Sequence, residues 1–185
     1  LSPTIEVLQA MTKICENFCS VSKLQFNPSK SVCVCFRKEK NFDITPLTLS
    51  GALLKWSDSV RHLGHTLMFN LSEEKEIAIK RGDLVGRSNV LMSNFANMNH
   101  DVRLKVFHSQ CAHLYGCQSW NLSDHNVKYF HTMYNRCVRR VLNLPYRTHT
   151  ALLPHLSDRP NISFLIGKRV HNFIMKMSLL DNKIG

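Results

Sequence analysis

The chain has 185 residues, of which 44% are hydrophobic and 20% are charged, a composition that excludes a disordered chain and predicts a folded globular protein. Its 24 lysine and arginine residues outnumber 13 acidic residues, and the formal net charge of +11 favours a polyanionic partner, most simply nucleic acid. Residues 1–70 hold eight basic and five acidic side chains, net +3, whereas residues 71–185 hold sixteen and eight, net +8. The second part is therefore predicted to make most of the phosphate contacts.

No apolar run approaches the roughly 18 residues of a membrane span, and the N-terminus lacks a secretory pattern, so we predict an intracellular protein without membrane contact. The seven cysteines include no Cys-x-x-Cys pair, which argues against a disulfide framework or a zinc site and favours small core residues. His62 and His65 have no evident third ligand, so no metal site is predicted. The chain opens at Leu1 without a methionine, and we expect it to be part of a longer polypeptide.

The first predicted element is a helix that packs on a small sheet. Ser2 is a suitable N-cap, with Pro3 at the first helical position. Apolar residues then recur every three or four positions along one face. They are Ile5, Leu8, Met11, Cys15, Phe18 and Cys19.

A turn with a single lysine separates two predicted strands, Leu24–Asn27 and Ser31–Phe36. The second has apolar side chains on both faces, which is typical of a strand inside a sheet. The turn residues Asn27 and Pro28 hold the chain rigidly between the two strands. Lys30 therefore lies at the mouth of the second strand, where we expect its amine to face a cleft.

Two further β segments precede Asn70. Leu47–Ser50 and Ala52–Trp56 are predicted to form a hairpin that turns about Gly51. Arg61–Leu67 is predicted to be one short strand interrupted by Gly64. A glycine inside a strand marks a bulge or a place where another backbone comes close.

After Asn70 the apolar spacing changes to three and four, which predicts a helical bundle. Three glutamates open the first long helix, where negative charge complements the helix dipole. The predicted buried residues of that helix are Ile77, Leu84, Leu91 and Met98, with Phe95 between turns. Those of the next helices are Leu104, Phe107, Cys111 and Leu114, then Val127, Phe130, Tyr134, Cys137, Val138 and Val141 in a helix that opens at Ser123. The last helix presents Ile162, Ile166, Val170, Phe173 and Met177.

The cations of this half form the candidate nucleic-acid surface. Its predicted members are Arg136, Arg139, Arg140, Arg147, Lys168 and Arg169. Cations near a helix end also complement the helix dipole, so the sequence alone leaves both interpretations of the three arginines in the third helix open. Phosphate contacts need cations without strict spacing, and the wider set favours such contacts.

Four stretches, in the same order, resemble segments of the reverse transcriptases of LINE-type non-LTR retrotransposons. They are Asn27-Pro28-Ser29-Lys30, His62-Leu63-Gly64, Leu114-Tyr115-Gly116 with Trp120, and Arg139-Arg140 with Leu144-Pro145 and Thr148-His149. The first is similar to the palm's Asn-x-x-Lys turn and the second to the hairpin that grips the primer, with His62 where relatives often have an aromatic residue. The last two are similar to segments in and after the thumb.

The resemblance implies an α+β fold with a small antiparallel palm sheet and one packed helix over residues 1–70. A thumb-like helical bundle would follow over residues 71–145, and a helical post-thumb segment over residues 146–185. Lys30 would be the candidate general acid that protonates departing pyrophosphate, and His62, Leu63 and Gly64 would form the primer grip. The implied compartments are the cytoplasm and the nucleus.

The family copies RNA into DNA with two Mg²⁺ ions held by paired aspartates, and the implied partners are an RNA template, a DNA primer and their hybrid. The aspartates would lie before Leu1, in the upstream part of the same polyprotein. We therefore expect this chain to grip primer and template without a cofactor and without polymerising alone. Two alternatives stay open: a decayed or co-opted remnant that binds nucleic acid without chemistry, and an unrelated basic α+β protein with another acidic partner.

Overall fold

The computed structural model describes residues 1–36 and 45–179, and the chain divides into two units, Leu1–Ser72 and Glu73–Gly185. The first unit holds one helix and several short strands. The described residues of the second unit form helices, turns and connecting loops without a strand. The chain is therefore a mixed α and β protein, as the sequence predicts.

Helix α1 (Ile5–Val21) begins later than predicted, because Thr4 rather than Ser2 is its N-cap and accepts a hydrogen bond from the Val7 N–H. The predicted apolar face is covered only at its start. Ile5 and Leu8 pack on the small core of this unit, whereas Phe18 is 68% exposed. Met11 and Cys15 are also exposed, so the helix packs beside the strands as predicted, but only with the first part of its apolar face.

Polar bonds also hold α1 to the hairpin beside it. The Gln9 Oε1 accepts from the Thr48 N–H at 2.9 Å, and the Gln9 Nε2 donates to the Thr48 carbonyl at 3.0 Å. Two turns further along, the Glu16 carboxylate accepts from the Ser50 N–H. The side chain of Gln9 thereby satisfies backbone groups that a neighbouring strand would otherwise bond.

The described strands form three two-stranded sheets instead of the single antiparallel sheet that we predicted. Strand β1 (Val32–Cys33) is paired in parallel with β4 (Lys55–Trp56). Strand β2 (Thr48–Leu49) is antiparallel to β3 (Ala52–Leu53), and β5 (Ser59–His62) is antiparallel to β6 (His65–Met68). With two to four residues each, these strands are too short to extend into a continuous ladder.

The segment around Lys30 differs most from its predicted structure. Leu24–Asn27 forms no strand, and β1 covers only two residues of the predicted Ser31–Phe36. Cys33 is buried with Leu47, Leu49 and Leu54 in the small core, whereas Val32 is 39% exposed. The prediction of an interior strand is therefore wrong. Alternating apolar residues make both faces suitable for burial, but burial also requires a layer to cover each face.

The second unit consists of α2 (Glu74–Phe95), α3 (His100–Val106), a π-helical turn (Phe107–Cys111), α4 (His125–Val141), α5 (Leu153–Leu156) and α6 (Ile162–Leu179). The prediction for α4 is confirmed, since all six of its predicted core residues are buried. Helix α2 buries Ile77, Leu84 and Leu91, but Phe95 and Met98 are exposed. Helix α6 likewise buries only the start of its predicted face, Ile162 and Ile166, and exposes Phe173 and Met177.

One core joins the helices of this unit. The region after residue 145 contributes Leu153, Ile162 and Ile166 to the cluster that holds the buried residues of α2 and α4.

Four cysteines are buried in the two units, and burial raises the pKa of each of their thiols. They are Cys33, Cys111, Cys117 and Cys137. They therefore stay protonated at neutral pH, as small core residues do.

A buried arginine joins the ends of two helices. Arg103 in α3 is 1% exposed, and its Nε donates to the carbonyl of Val141, the last residue of α4, at 2.6 Å. Its Nη1 donates to the carbonyl of Ala96, the C-cap of α2, also at 2.6 Å. Carbonyls at helix C-termini lack partners within their own helix and carry the negative end of the dipole. The guanidinium thus supplies both donors and the complementary charge.

Candidate nucleic-acid interface

The turn that carries Lys30 is built by the side chain of Asn27. The Asn27 Oδ1 accepts from the Lys30 N–H at 3.3 Å and from the Ser29 hydroxyl at 2.6 Å, which caps a single 3-10 turn, Pro28–Lys30. The Ser31 hydroxyl donates back to the Asn27 carbonyl at 2.9 Å. The Lys30 side chain is exposed, and no residue in the described part of the chain forms an ion pair with its amine. Its predicted role in catalysis stays a prediction.

The residues of the predicted primer grip lie at the tip of a hairpin. Leu63 and Gly64 are the two central residues of the turn between β5 and β6, both with positive φ, 47° and 82°. Positive φ at both positions is the signature of a type I′ turn, whose twist suits the flanking strands. The prediction of one strand with a bulge is therefore wrong. Leucine tolerates positive φ poorly, which is why the residue types alone did not indicate a turn here, whereas the resemblance to the primer-gripping hairpin implies one.

His62 and His65 are cross-strand partners at the end of this hairpin. Leu63 between them is 76% exposed, so the tip presents an apolar side chain to its surroundings. Within residues 1–36 and 45–179, no group of three or more His, Cys, Asp or Glu side chains is placed to hold a metal ion.

The six predicted phosphate-binding cations divide into two groups. Three of them bond within the second unit: Arg139 donates to the Thr148 carbonyl at 2.9 Å and to the Thr150 Oγ1 at 2.8 Å. Arg140 donates to the side chain of Asn89 in α2. Arg169 donates to the carbonyl of Leu114 at 3.3 Å. These three side chains therefore hold loops and helices together, whatever else they contact.

The other three cations, Arg136, Arg147 and Lys168, are exposed. Among the described residues, none of them has a hydrogen-bond or ion-pair partner for its side-chain cation. Tyr146, next to Arg147, is 77% exposed, and an exposed aromatic ring beside a cation is typical of surfaces on which unpaired bases stack. Tyr146 was not among the predicted site residues, although the turn residues that flank it in the sequence could have indicated an exposed ring.

Two more cations are paired with aromatic rings, and the sequence did not indicate them. The Arg81 guanidinium carbon lies 4.4 Å from the centre of the Tyr129 ring, and the Lys80 Nζ lies 5.8 Å from that of Tyr115. Lys80 also forms a 3.6 Å ion pair with Glu76. These contacts join residues far apart in sequence, so only the packing of α2 against its neighbours reveals them.

Comparison of the chain with protein-family models, with curated proteins and with solved structures gives no match. Of the helices in the described part of the chain, none combines the length and the apolar character needed to cross a membrane. The structural features of the interface are thus the basis for a functional proposal, together with the motif order in the sequence.

A half-buried histidine and a buried tyrosine form a polar pair that the sequence did not indicate. The Tyr134 hydroxyl lies 3.3 Å from the His108 Nδ1, and the His108 Nε2 is buried without a hydrogen-bond partner in the described structure. Burial, with a smaller contribution from Arg159, lowers the pKa of His108 to about 4. Burial also raises the pKa of Tyr134 to about 12. Both side chains are therefore uncharged at neutral pH.

The lowered pKa of His108 is expected to make the stability of the second unit dependent on pH. Because the pKa of His108 is about 4 in the folded chain and 6.5 in an ordinary histidine, the unfolded chain binds a proton first as the pH falls. Stability should therefore decrease from about pH 6.5 down to pH 4. The shift corresponds to at most about 3 kcal/mol, and partial exposure of the ring reduces the expected loss to about 1–2 kcal/mol.

Urea unfolding at pH 7.0, 5.5 and 4.5 measures this effect. His108→Gln should flatten the pH dependence, whereas His155→Gln, which changes an exposed histidine in α5, should leave it as in the unchanged chain. Burial also lowers the pKa of His131, so part of the dependence remains in both variants. Equal pH profiles for His108→Gln and His155→Gln would contradict the assignment.

Proposed function

We propose that the chain is the end of the palm and the thumb of a LINE-type reverse transcriptase, and that it contributes the grip on primer and template. The order of the four resembling stretches supports the family. The exposed hairpin tip at Leu63 and Gly64 and the exposed amine of Lys30 are compatible with a surface that faces a substrate. On this proposal, the antiparallel palm sheet would be completed by upstream strands, and the protein would act in the cytoplasm and the nucleus.

The observation that carries the proposal is the pair of exposed arginines near the end of α4, Arg136 and Arg147. They belong to the part of the chain with a net charge of +8, and neither has an internal partner among the described residues. A cation whose side chain has no hydrogen-bond or ion-pair partner among the described residues is available to neutralise a phosphate and release its counterion. The resemblance makes an RNA–DNA hybrid the proposed partner, and contacts to its backbone need no base-specific motif.

We predict that the double variant Arg136→Gln, Arg147→Gln weakens binding of a labelled RNA–DNA hybrid and flattens its salt dependence. On a duplex, each phosphate contact contributes about −0.9 to the slope of log K against log salt. Loss of two contacts should therefore reduce the magnitude of the slope by up to about 1.8. The loss should be similar for hybrids of different sequence. Fluorescence anisotropy titrations at four salt concentrations between about 50 and 200 mM measure both quantities.

A matched control removes two exposed lysines from the first unit, Lys13→Gln with Lys55→Gln. It lowers the net charge by the same amount and should change the slope much less. Lys30→Ala should bind as the unchanged chain does, because its proposed role lies in the chemical step. Equal slope changes in the two double variants would mean that only total charge matters, and a salt-independent affinity would exclude phosphate contacts.

The second candidate is the non-enzymatic remnant, in which the same cations would bind the phosphates of a nucleic acid. Reading the upstream coding sequence for an Asp-Asp hairpin in the same frame distinguishes the two candidates. An intact hairpin favours the polymerase part, and an interrupted one favours the remnant.

A further inference from the structure

A cavity of about 310 Å³ opens beside the His108–Tyr134 pair in the second unit. Its polar lining consists of His108, Tyr134, Arg159, Lys168, Arg169 and Asn172. Its apolar lining includes Leu114, Ile162 and Leu165. The volume lies at the lower end of the range for small-molecule sites, which combine an apolar wall with a few convergent polar groups.

The charge of the cavity has one sign. Arg159, Lys168 and Arg169 contribute three cations, and no aspartate or glutamate is among the lining residues that the structure describes. Arg169 uses one N–H on the Leu114 carbonyl, which fixes its position and leaves its other donors available. Cations gathered around one cavity without a carboxylate repel one another, so an anion is the ligand that they would stabilise.

His108 adds an uncharged donor. The buried hydroxyl of Tyr134 needs an acceptor, and the His108 Nδ1 is the atom in the described structure that meets it. When Nδ1 accepts, the proton of the neutral ring is on Nε2. That atom has no hydrogen-bond partner within the described residues, although it is buried. A buried donor without a partner costs free energy, which a bound acceptor would recover.

We propose that this cavity binds a small phosphate monoester, with the phosphate against the three cations and its apolar or aromatic body against Leu114, Ile162 and Leu165. A phosphate monoester carries up to two negative charges and three acceptor oxygens, which matches three cations and one neutral donor better than a carboxylate does. The monoester is either a free nucleotide or the 5′ phosphate of a strand. The inference does not rest on the proposed polymerase function, because the ligand need not be a primer–template.

Isothermal titration of the whole chain with AMP, adenosine and inorganic phosphate tests the proposal. AMP should bind, adenosine should not, and inorganic phosphate should bind at least about tenfold more weakly than AMP because it lacks the apolar body. A 5′-phosphorylated dinucleotide and its 5′-hydroxyl counterpart show whether a strand end is also accepted. No heat with AMP at millimolar concentration, or equal affinities for AMP and adenosine, would overturn the proposal.

Variants locate the binding. Lys168→Gln and Arg159→Gln should each lower AMP affinity about tenfold, the effect of one charge-assisted hydrogen bond. His108→Gln should also lower it, whereas Lys128→Gln, an exposed cation of α4 outside the cavity, should not. Thermal unfolding of each variant shows whether it is folded. Equal losses in Lys168→Gln and Lys128→Gln would mean general attraction to a basic protein and would contradict the site.

Discussion

Replacing Arg103 with leucine is expected to lower the free energy of unfolding of the second unit by about 2–4 kcal/mol, because the carbonyls at two helix ends lose their donors. The leucine is apolar and leaves the carbonyl of the buried Val141 without the donor that it has now, and the carbonyl of Ala96, an exposed residue, loses its donor as well. A buried carbonyl without a donor costs about 1–3 kcal/mol, and the loss of the complementary charge at two helix C-termini adds to this cost. Arg103→Lys keeps the charge but has no planar fork, so it should retain only part of the stability.

Fluorescence can follow this unit alone. The chain has two tryptophans, Trp56 in the first unit and Trp120 in the core of the second, so a Trp56→Phe background leaves Trp120 as the reporter. Urea unfolding in that background gives the free energy of the second unit. Lys105→Leu is the matched control, because it removes an exposed charge from the same helix, and it should change stability by less than about 0.5 kcal/mol. Equal effects of Arg103→Leu and Lys105→Leu would show that the hydrogen bonds from Arg103 to the two carbonyls contribute no net free energy of unfolding.

Phe130→Ala should be similarly destabilising, by about 3–5 kcal/mol. The Phe130 side chain is 1% exposed, and its ring meets that of Trp120 edge to face with the ring centres 5.2 Å apart. Removing it takes away the transfer free energy of the ring and leaves a cavity in the middle of the core. The Trp120 emission of the folded state should also change, because its aromatic neighbour is gone.

The neighbouring residue is the control for this second prediction. Tyr129 is on the same helix but 45% exposed, and its main described contact is the Arg81 guanidinium. Tyr129→Ala should cost about 0.5–1 kcal/mol, the value of an exposed cation–π contact. If both alanine variants lose the same stability in urea, the burial of Phe130 against Trp120 adds nothing to the stability of the core.

Where a helix is covered along its whole length, the sequence by itself was sufficient to predict which of its residues are buried. The spacing of Val127, Phe130, Tyr134 and their neighbours identified every buried position of α4, because apolar residues at helical spacing indicate the face of the helix that packs on a core. The same spacing in α1 and α6 overestimated burial, since Phe18 and Phe173 are exposed. Periodicity identifies a face that is suitable for burial, but whether another element covers it is a matter of tertiary packing.

The sequence also identified the turn at Gly51 between β2 and β3, where Ser50 and Gly51 both have positive φ. Residue types alone missed the equivalent turn at Leu63 and Gly64, because leucine carries no turn signal and the preceding residues suit a strand, although the resemblance to the primer-gripping hairpin implies a hairpin here. Local propensity predicts a turn only where the residue types reveal the backbone angles. At Leu63 the pairing of β5 with β6 imposes them instead.

For the candidate sites, composition predicted the sign of the partner's charge. Tertiary structure determined which cations are available to bind that partner. A net charge of +8 after residue 70 can be counted from the sequence. Only the fold shows that Arg103 is buried between two helix ends, that Arg139 is bonded to a loop, and that Arg136 is exposed. The physical reason is that a guanidinium bonds to whichever acceptors lie within its reach. Those acceptors come from residues distant in sequence, so their positions exist only once the helices have packed.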